Sequence, residues 1–212
     1  VIRSIHRWVL RTVPAGARAA GRFVAAVALA LLIAEPCCGT QPRAHDDVRI
    51  VIHKNDQILE LHRNGSPVKS YRVCLGLDPQ GPKRITGDRK TPEGEYFICY
   101  KSAESSFCRF LGISYPGEHD AQAAFESGLI SLDSRDSIIS RVRQRLAPPW
   151  NTKLGGWVGI HGYPTDPYQR RWISLLYPKP HNWTDGCIAL WNFEIEDLFD
   201  QVTVGTPVSI EP

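Results

Sequence analysis

The dipeptide Asn64-Gly65 limits what this chain can fold into more than any other feature. Both residues tolerate positive φ, so together they favour the tight turn whose twist matches two antiparallel strands. Strand-like runs flank it. Val48 to Lys54 (VRIVIHK) alternates loosely and is rich in β-branched residues, and Asn55-Asp56 marks a turn. Gln57 to His62 reads as a second strand, and Val68 to Leu75 (VKSYRVCL) as a third. The segment therefore predicts a β-meander.

Beyond it, residues 76–95 (GLDPQGPKRITGDRKTPEGE) are dense in Gly, Pro and charge. That is a structured loop, too long for a simple hairpin. Tyr96 to Tyr100 is strand-like again. Between residues 120 and 147 the apolar period lengthens and predicts two short helices, stopped by Pro148-Pro149. Gly155 to Ile160 reads as a buried strand running into His161-Gly162. After Cys187, Asn192 is a candidate N-cap, with Glu194, Glu196 and Asp197 favouring a helix N-terminus. Ile195, Leu198, Phe199 and Val202 give that helix one apolar face, Gly205 ends it, and Pro207 to Ile210 is a closing strand. The sum is a mainly β domain with a helical insertion at about residues 117–153 and one helix near the end.

Residues 1–44 differ from the rest. They carry six Arg and one acidic residue, net +5, against 19 basic and 21 acidic residues over 45–212. A basic stretch ending at Arg22 precedes the apolar run Phe23 to Ala34, which is 12 residues long. A spanning helix needs about 20. The order is that of an export leader, which places residues 45–212 in the periplasm or cell envelope, with membrane contact only through the leader. Lipidation at Cys37 or Cys38 and an uncleaved anchor both stay open. The weakly acidic domain argues against a nucleic-acid surface. Export permits a disulfide among Cys74, Cys99 and Cys108, with no pairing specified. No cysteine–histidine spacing suits zinc.

Chemistry concentrates in two segments. One is Ile160-His161-Gly162, and the other runs from Trp183 through Thr184, Asp185, Gly186 and Cys187 to Leu190. A cysteine nucleophile acts as thiolate, and an imidazole can take its proton. Gly186 would allow a sharp turn with amides aimed at an oxyanion, and Gly162 would leave room for substrate. Read alone, Cys187 equally fits a small buried residue or half of a disulfide, and His161 a core histidine.

His161-Gly162 followed by Thr184-Asp185-Gly186-Cys187-Ile188 resembles the catalytic region of the YkuD-type L,D-transpeptidase family. Gly87-Asp88-Arg89-Lys90-Thr91-Pro92-Glu93-Gly94-Glu95-Tyr96 is similar to the family's G-D-x-x-T-P-x-G-x-Y stretch. Leu111 to Pro116 resembles its substrate-side strand, and Val204 to Val208 its closing strand. The likeness covers roughly residues 48–212. It implies an L,D-transpeptidase-like β-sandwich that acts on peptidoglycan stem peptides without metal or organic cofactor. Cys187 would be the nucleophile and His161 the base, oriented by the Gly162 carbonyl. Amides of Gly186 and Cys187 would form the oxyanion hole. Asp185, Thr184, Trp183, Arg171 and Tyr115 are the substrate-binding candidates. Two positions depart from the common pattern: Asp185 stands where many members have His, and Ala189 where many have Arg or Asn. The form W-T-D-G-C-I-A is similar to the YafK-like branch, in which the same linkage can be hydrolysed. Three expectations follow: a transpeptidase that forms cross-links or attaches a lipoprotein to the wall, a hydrolase that releases such links, or an inactive wall-binding module.

Overall fold

The computed structural model describes residues 47–176 and 181–212. The expected export leader, with Cys37 and Cys38, lies outside the described residues. Eight strands form one curled sheet: β1 (Val48–His53), β2 (Ile58–Arg63), β3 (Ser66–Arg72), β4 (Gly94–Ser105), β5 (Cys108–Ile113), β6 (Gly159–His161), β7 (Ile188–Ala189) and β8 (Pro207–Glu211), in the order β3-β2-β1-β8-β4-β5-β6-β7. The expected meander is present, with Asn64 and Gly65 both at positive φ in its turn. β4 joins two halves, pairing with β8 on one side and β5 on the other. These halves enclose one core, in keeping with the β-sandwich that the family resemblance implies.

The sheet curls until its ends meet. Just past β3, Cys74 bridges Ala189 of β7, and Gly76 bridges Thr184. Alternating residues from both halves, including Ile50, Ile52, Leu61, Ile98, Leu111, Ile160, Ile188 and Val208, are buried in one core. Helix α4 (Asn192–Gln201) closes that core with Ile195 and Leu198. Its cap differs from the expected one. The N-cap is Trp191, whose amide donates to the Glu194 carboxylate at 2.9 Å, while the Asn192 side chain accepts from the Tyr163 amide at 2.7 Å. The Asn side chain is thus spent on bracing the segment after His161.

The insertion forms α1 (Glu118–Glu126) and α2 (Leu132–Arg143), packed through Ala121, Ala124 and Ile138 with Leu154. A third helix, α3 (Pro167–Leu176), was not legible in the sequence. The strand expected at Gly155 to Ile160 is shorter, because Gly155 and Trp157 adopt positive φ and break the ladder. Among the described residues no disulfide joins Cys74, Cys99, Cys108 or Cys187, so the pairing left open is not formed, and the Cys74 sulfur lies 3.7 Å from the Tyr163 hydroxyl. Among the described residues no helix is long and apolar enough to cross a membrane.

Candidate active site

The site sits where the curled sheet closes. β6 and β7 run parallel, with Ile160 opposite Ile188 and His161 opposite Ala189. One step back, that register sets Cys187 beside Gly159. Paired residues and their i+2 neighbours share a face, so Cys187, Gly159, Ala189 and His161 lie on one side, while Ile160 and Ile188 enter the core. Cys187 and His161 are therefore diagonal neighbours on a single face. Ala189 pairs with His161 across the two strands and is fully buried, so the departure from the family pattern places a small side chain at this position.

His161 is buried, and its ring is enclosed by aromatics: Phe107 at 4.8 Å, Trp183 at 5.8 Å and Phe110 at 6.5 Å between centroids. Its Nδ1 lies 2.7 Å from the Gly162 carbonyl oxygen. A carbonyl only accepts, so Nδ1 carries the proton and Nε2 is left as the basic nitrogen. Burial drives the imidazole pKa down to about 4, against a smaller upward pull from that hydrogen bond. Gly162 is needed for the contact, since a side chain there would meet Asn192 Oδ1 at 2.6 Å.

This depressed value has a consequence for stability. Below its ordinary pKa of 6.5 the unfolded chain takes up a proton at His161 that the folded chain refuses until about pH 4. Stability is expected to fall across that interval by up to roughly 3 kcal/mol, and to be unaffected by this group above it. Urea unfolding at pH 7 and pH 4.5 checks it: the loss on acidification should shrink in His161→Gln. An equal loss in both proteins would assign the acid sensitivity elsewhere.

Cys187 opens onto a groove of about 430 Å³ lined also by Lys83, Thr86, Arg89, Trp157 and Asp185. The residue is half-buried, but its sulfur is closely surrounded and contacts the Trp157 carbonyl oxygen at 3.6 Å. Desolvation pushes the thiol up to about 11, opposed by a hydrogen bond from the Gly159 backbone and by the positive charge of Lys83. At neutral pH the pair is thus a thiol beside a neutral imidazole.

The turn before Cys187 is held tightly. Gly186 has φ +131°, and a Cβ there would lie 2.5 Å from the Lys90 carbonyl oxygen. The Thr184 hydroxyl accepts from the Gly186 amide at 3.1 Å and donates to the Cys187 carbonyl at 2.7 Å. This corrects two expectations. The Gly186 amide, expected at the oxyanion, is engaged within the turn, and Thr184, expected at substrate, is a buried brace between that amide and the Cys187 carbonyl. Tyr115 is corrected as well: it is fully buried and donates to the Leu154 carbonyl. Arg171 lies on exposed α3 and does not line the groove. Trp183 packs against His161 and Tyr163, and Asp185 is exposed at the groove, 4.0 Å from Arg89.

The stretch from Gly87 to Tyr96 builds the groove wall. Asp88 accepts from the amides of Arg84, Ile85 and Lys90 and from the Lys83 ammonium at 2.7 Å. Burial works against its charge, but these donors outweigh it and hold the carboxyl below its usual range. The Thr91 hydroxyl accepts from the Gly76 amide, and buried Lys54 bonds Glu93 and the Thr91 carbonyl. Lys83 is the residue that sequence reasoning missed. Its signal was a lysine five residues before the motif Asp in a Gly- and Pro-rich loop.

The family model for the L,D-transpeptidase catalytic domain, YkuD, matches residues 47–210. No curated protein sequence matches the chain. Among solved structures, the fold is similar to that of the helical cell shape determining protein Pgp2 from Campylobacter jejuni, at 22% identity and a TM-score of 0.52, over 78% of this chain and 48% of that one. An L,D-transpeptidase from Mycobacterium smegmatis also aligns, at 14% identity and a TM-score of 0.45, over 79% of this chain and 59% of that one. The chain thus spans about half the length of these proteins.

Proposed function

The chain belongs to the L,D-transpeptidase catalytic-domain family, and on that premise we propose that it is an envelope enzyme that acylates Cys187 with a peptidoglycan stem peptide. The thiol attacks the carbonyl of an L-centre next to a D-residue. His161 Nε2 takes the thiol proton as the carbon–sulfur bond forms, and the Cys187 amide faces the developing oxyanion. Collapse of the tetrahedral intermediate breaks the carbon–nitrogen bond, and the proton passes from His161 to the departing amine. An amine of a second stem peptide or of a lipoprotein lysine then takes the acyl group from the thioester. The observation that carries this reading is the short contact from His161 Nδ1 to the Gly162 carbonyl, which fixes the tautomer a base needs.

Hydrolysis is the second reading. It is favoured by the exposure of Trp157 and Asp185 in the groove that Cys187 lines, through which water can enter as the acyl acceptor.

The test is mass spectrometry of tetrapeptide and cross-linked muropeptides incubated with the protein and with Cys187→Ala. New cross-linked or exchanged species that vanish in the variant are the expected result. Shortened or separated products, also lost in the variant, would replace transfer with hydrolysis. Unchanged muropeptides with the unmutated protein would sink both.

A further inference from the structure

Lys83 lines two grooves. One contains Cys187. The other, of about 650 Å³, lies between the 83–85 segment, α1 and the Lys153-Leu154 pair. Its floor is apolar, from Ala123, Ala124 and Leu129, and its positive charge comes from Arg84 and Lys153, since the Lys83 ammonium is paired with Asp88 at 2.7 Å. Arg84 and Lys153 are solvent-exposed, whereas Lys83 is buried. The one carboxylate in the lining, Asp120, is itself buried and turned to internal use: it accepts from the Tyr96 hydroxyl at 2.9 Å and the Gly117 amide at 2.8 Å. The second groove therefore presents positive charge over small apolar side chains, in a domain whose overall balance is weakly acidic.

That lining fits a short peptide bearing carboxylates next to methyl groups. Thioester chemistry at Cys187, transfer or cleavage of a cross-link, handles two peptides, and the second must reach the sulfur. The shared Lys83 makes the two grooves neighbours.

We propose that the groove between the 83–85 segment and α1 binds the second of the two peptides handled at Cys187, with its carboxylates on Arg84 and Lys153. The assignment rests on the reading of Cys187 as the acyl-carrying residue of a stem-peptide enzyme. It gives the helical insertion a role, since α1 supplies one wall of the groove.

Calorimetric titration tests it with two ligands, a cross-linked muropeptide with two stems and a single-stem muropeptide, in the Cys187→Ala background. Adding Arg84→Glu and Lys153→Glu is expected to weaken the two-stem ligand at least about tenfold, equivalent to ~1.4 kcal/mol. The single-stem ligand, which fills the Cys187 groove, should lose much less. A two-stem ligand with amidated carboxylates should bind the parent weakly and lose nothing further in the variant. Arg84→Gln with Lys153→Gln, which adds no negative charge, should act in the same direction, and thermal melts establish that both variants fold. Equal two-stem affinity in parent and variants overturns the proposal, as does an equal loss for the carboxylate and amidated ligands. Acyl-enzyme formation on Cys187 by the single-stem ligand in the unmutated chain is read separately. If it occurs while the charge variants have no effect, only the second groove fails. If it does not occur while the charge variants still discriminate, the thioester reading fails and a two-stem binding site remains.

Discussion

His161→Gln is expected to slow acylation of Cys187 at pH 7 by two to four orders of magnitude, the range for loss of a positioned general base. The thiol is pushed up to about 11 and the imidazole down to about 4, so at neutral pH neither group is charged and no thiolate stands ready. On the proposed mechanism the proton leaves during attack and His161 Nε2 receives it, since Nδ1–H is committed to the Gly162 carbonyl. The pH profile separates this role from a structural one. The unmutated protein should reach a plateau once the imidazole is neutral, above about pH 5. The variant should instead climb about tenfold per pH unit toward the thiol pKa near 11, as hydroxide replaces the missing base. Gln fills most of the imidazole volume but cannot accept the proton at neutral pH. A variant that keeps the flat profile and most of the rate would remove His161 from the mechanism.

The sequence made the strands legible where period and turn chemistry agreed. Val48–His53, Ile58–Arg63 and the Asn64-Gly65 turn needed only local rules, whereas the register shift between Leu61 and His62 was not legible. The insertion helices were legible for the same reason. What stayed hidden depends on contacts distant in sequence. Trp157 takes positive φ and cuts the strand before His161, which no propensity suggests for a bulky aromatic. The α3 helix keeps Tyr168, Trp172 and Leu175 exposed, so its apolar residues did not mark a core-facing stripe.

At the site, Cys187 and His161 could be named from their motifs, but the roles around them could not. Thr184 looked like a substrate contact because of its position next to the nucleophile segment, and it turned out to bridge the Gly186 amide and the Cys187 carbonyl. Tyr115 is aromatic and adjacent to a motif strand, yet it faces the interior. Lys83 acquires its place only when the loop folds around Asp88, which gathers four donors from residues 83, 84, 85 and 90. A one-dimensional reading ranks residues by distance from the motif. The fold ranks them by which backbone crosses which, and here residues 76, 89–90 and 186 cross in contact.

That crossing makes Gly186→Ala the second large prediction. At φ +131° a non-glycine residue carries a strain of roughly 1–3 kcal/mol. The added methyl would also stand 2.5 Å from the Lys90 carbonyl oxygen, a backbone atom with little freedom. Lys90 is tied down through its amide to Asp88, and on the far side Gly76 already lies against the Arg89 carbonyl. The turn must therefore yield, and the residue that moves with it is Cys187. Downstream, Ile188 stays anchored by its pairing with Ile160 and by the core, so the domain should fold while its nucleophile is displaced. A displacement of about 1 Å at a reacting atom costs on the order of a hundredfold in rate. The expected result is a fall of that size or more in acylation rate, with a stability loss of a few kcal/mol by chemical denaturation. Gly65→Ala is the matched comparison. Gly65 also has positive φ, but nothing lies within 4 Å of the added methyl, so only the strain term should appear and acylation should be unchanged. Equal acylation rates in the two variants would mean that the Gly186 turn does not position the sulfur.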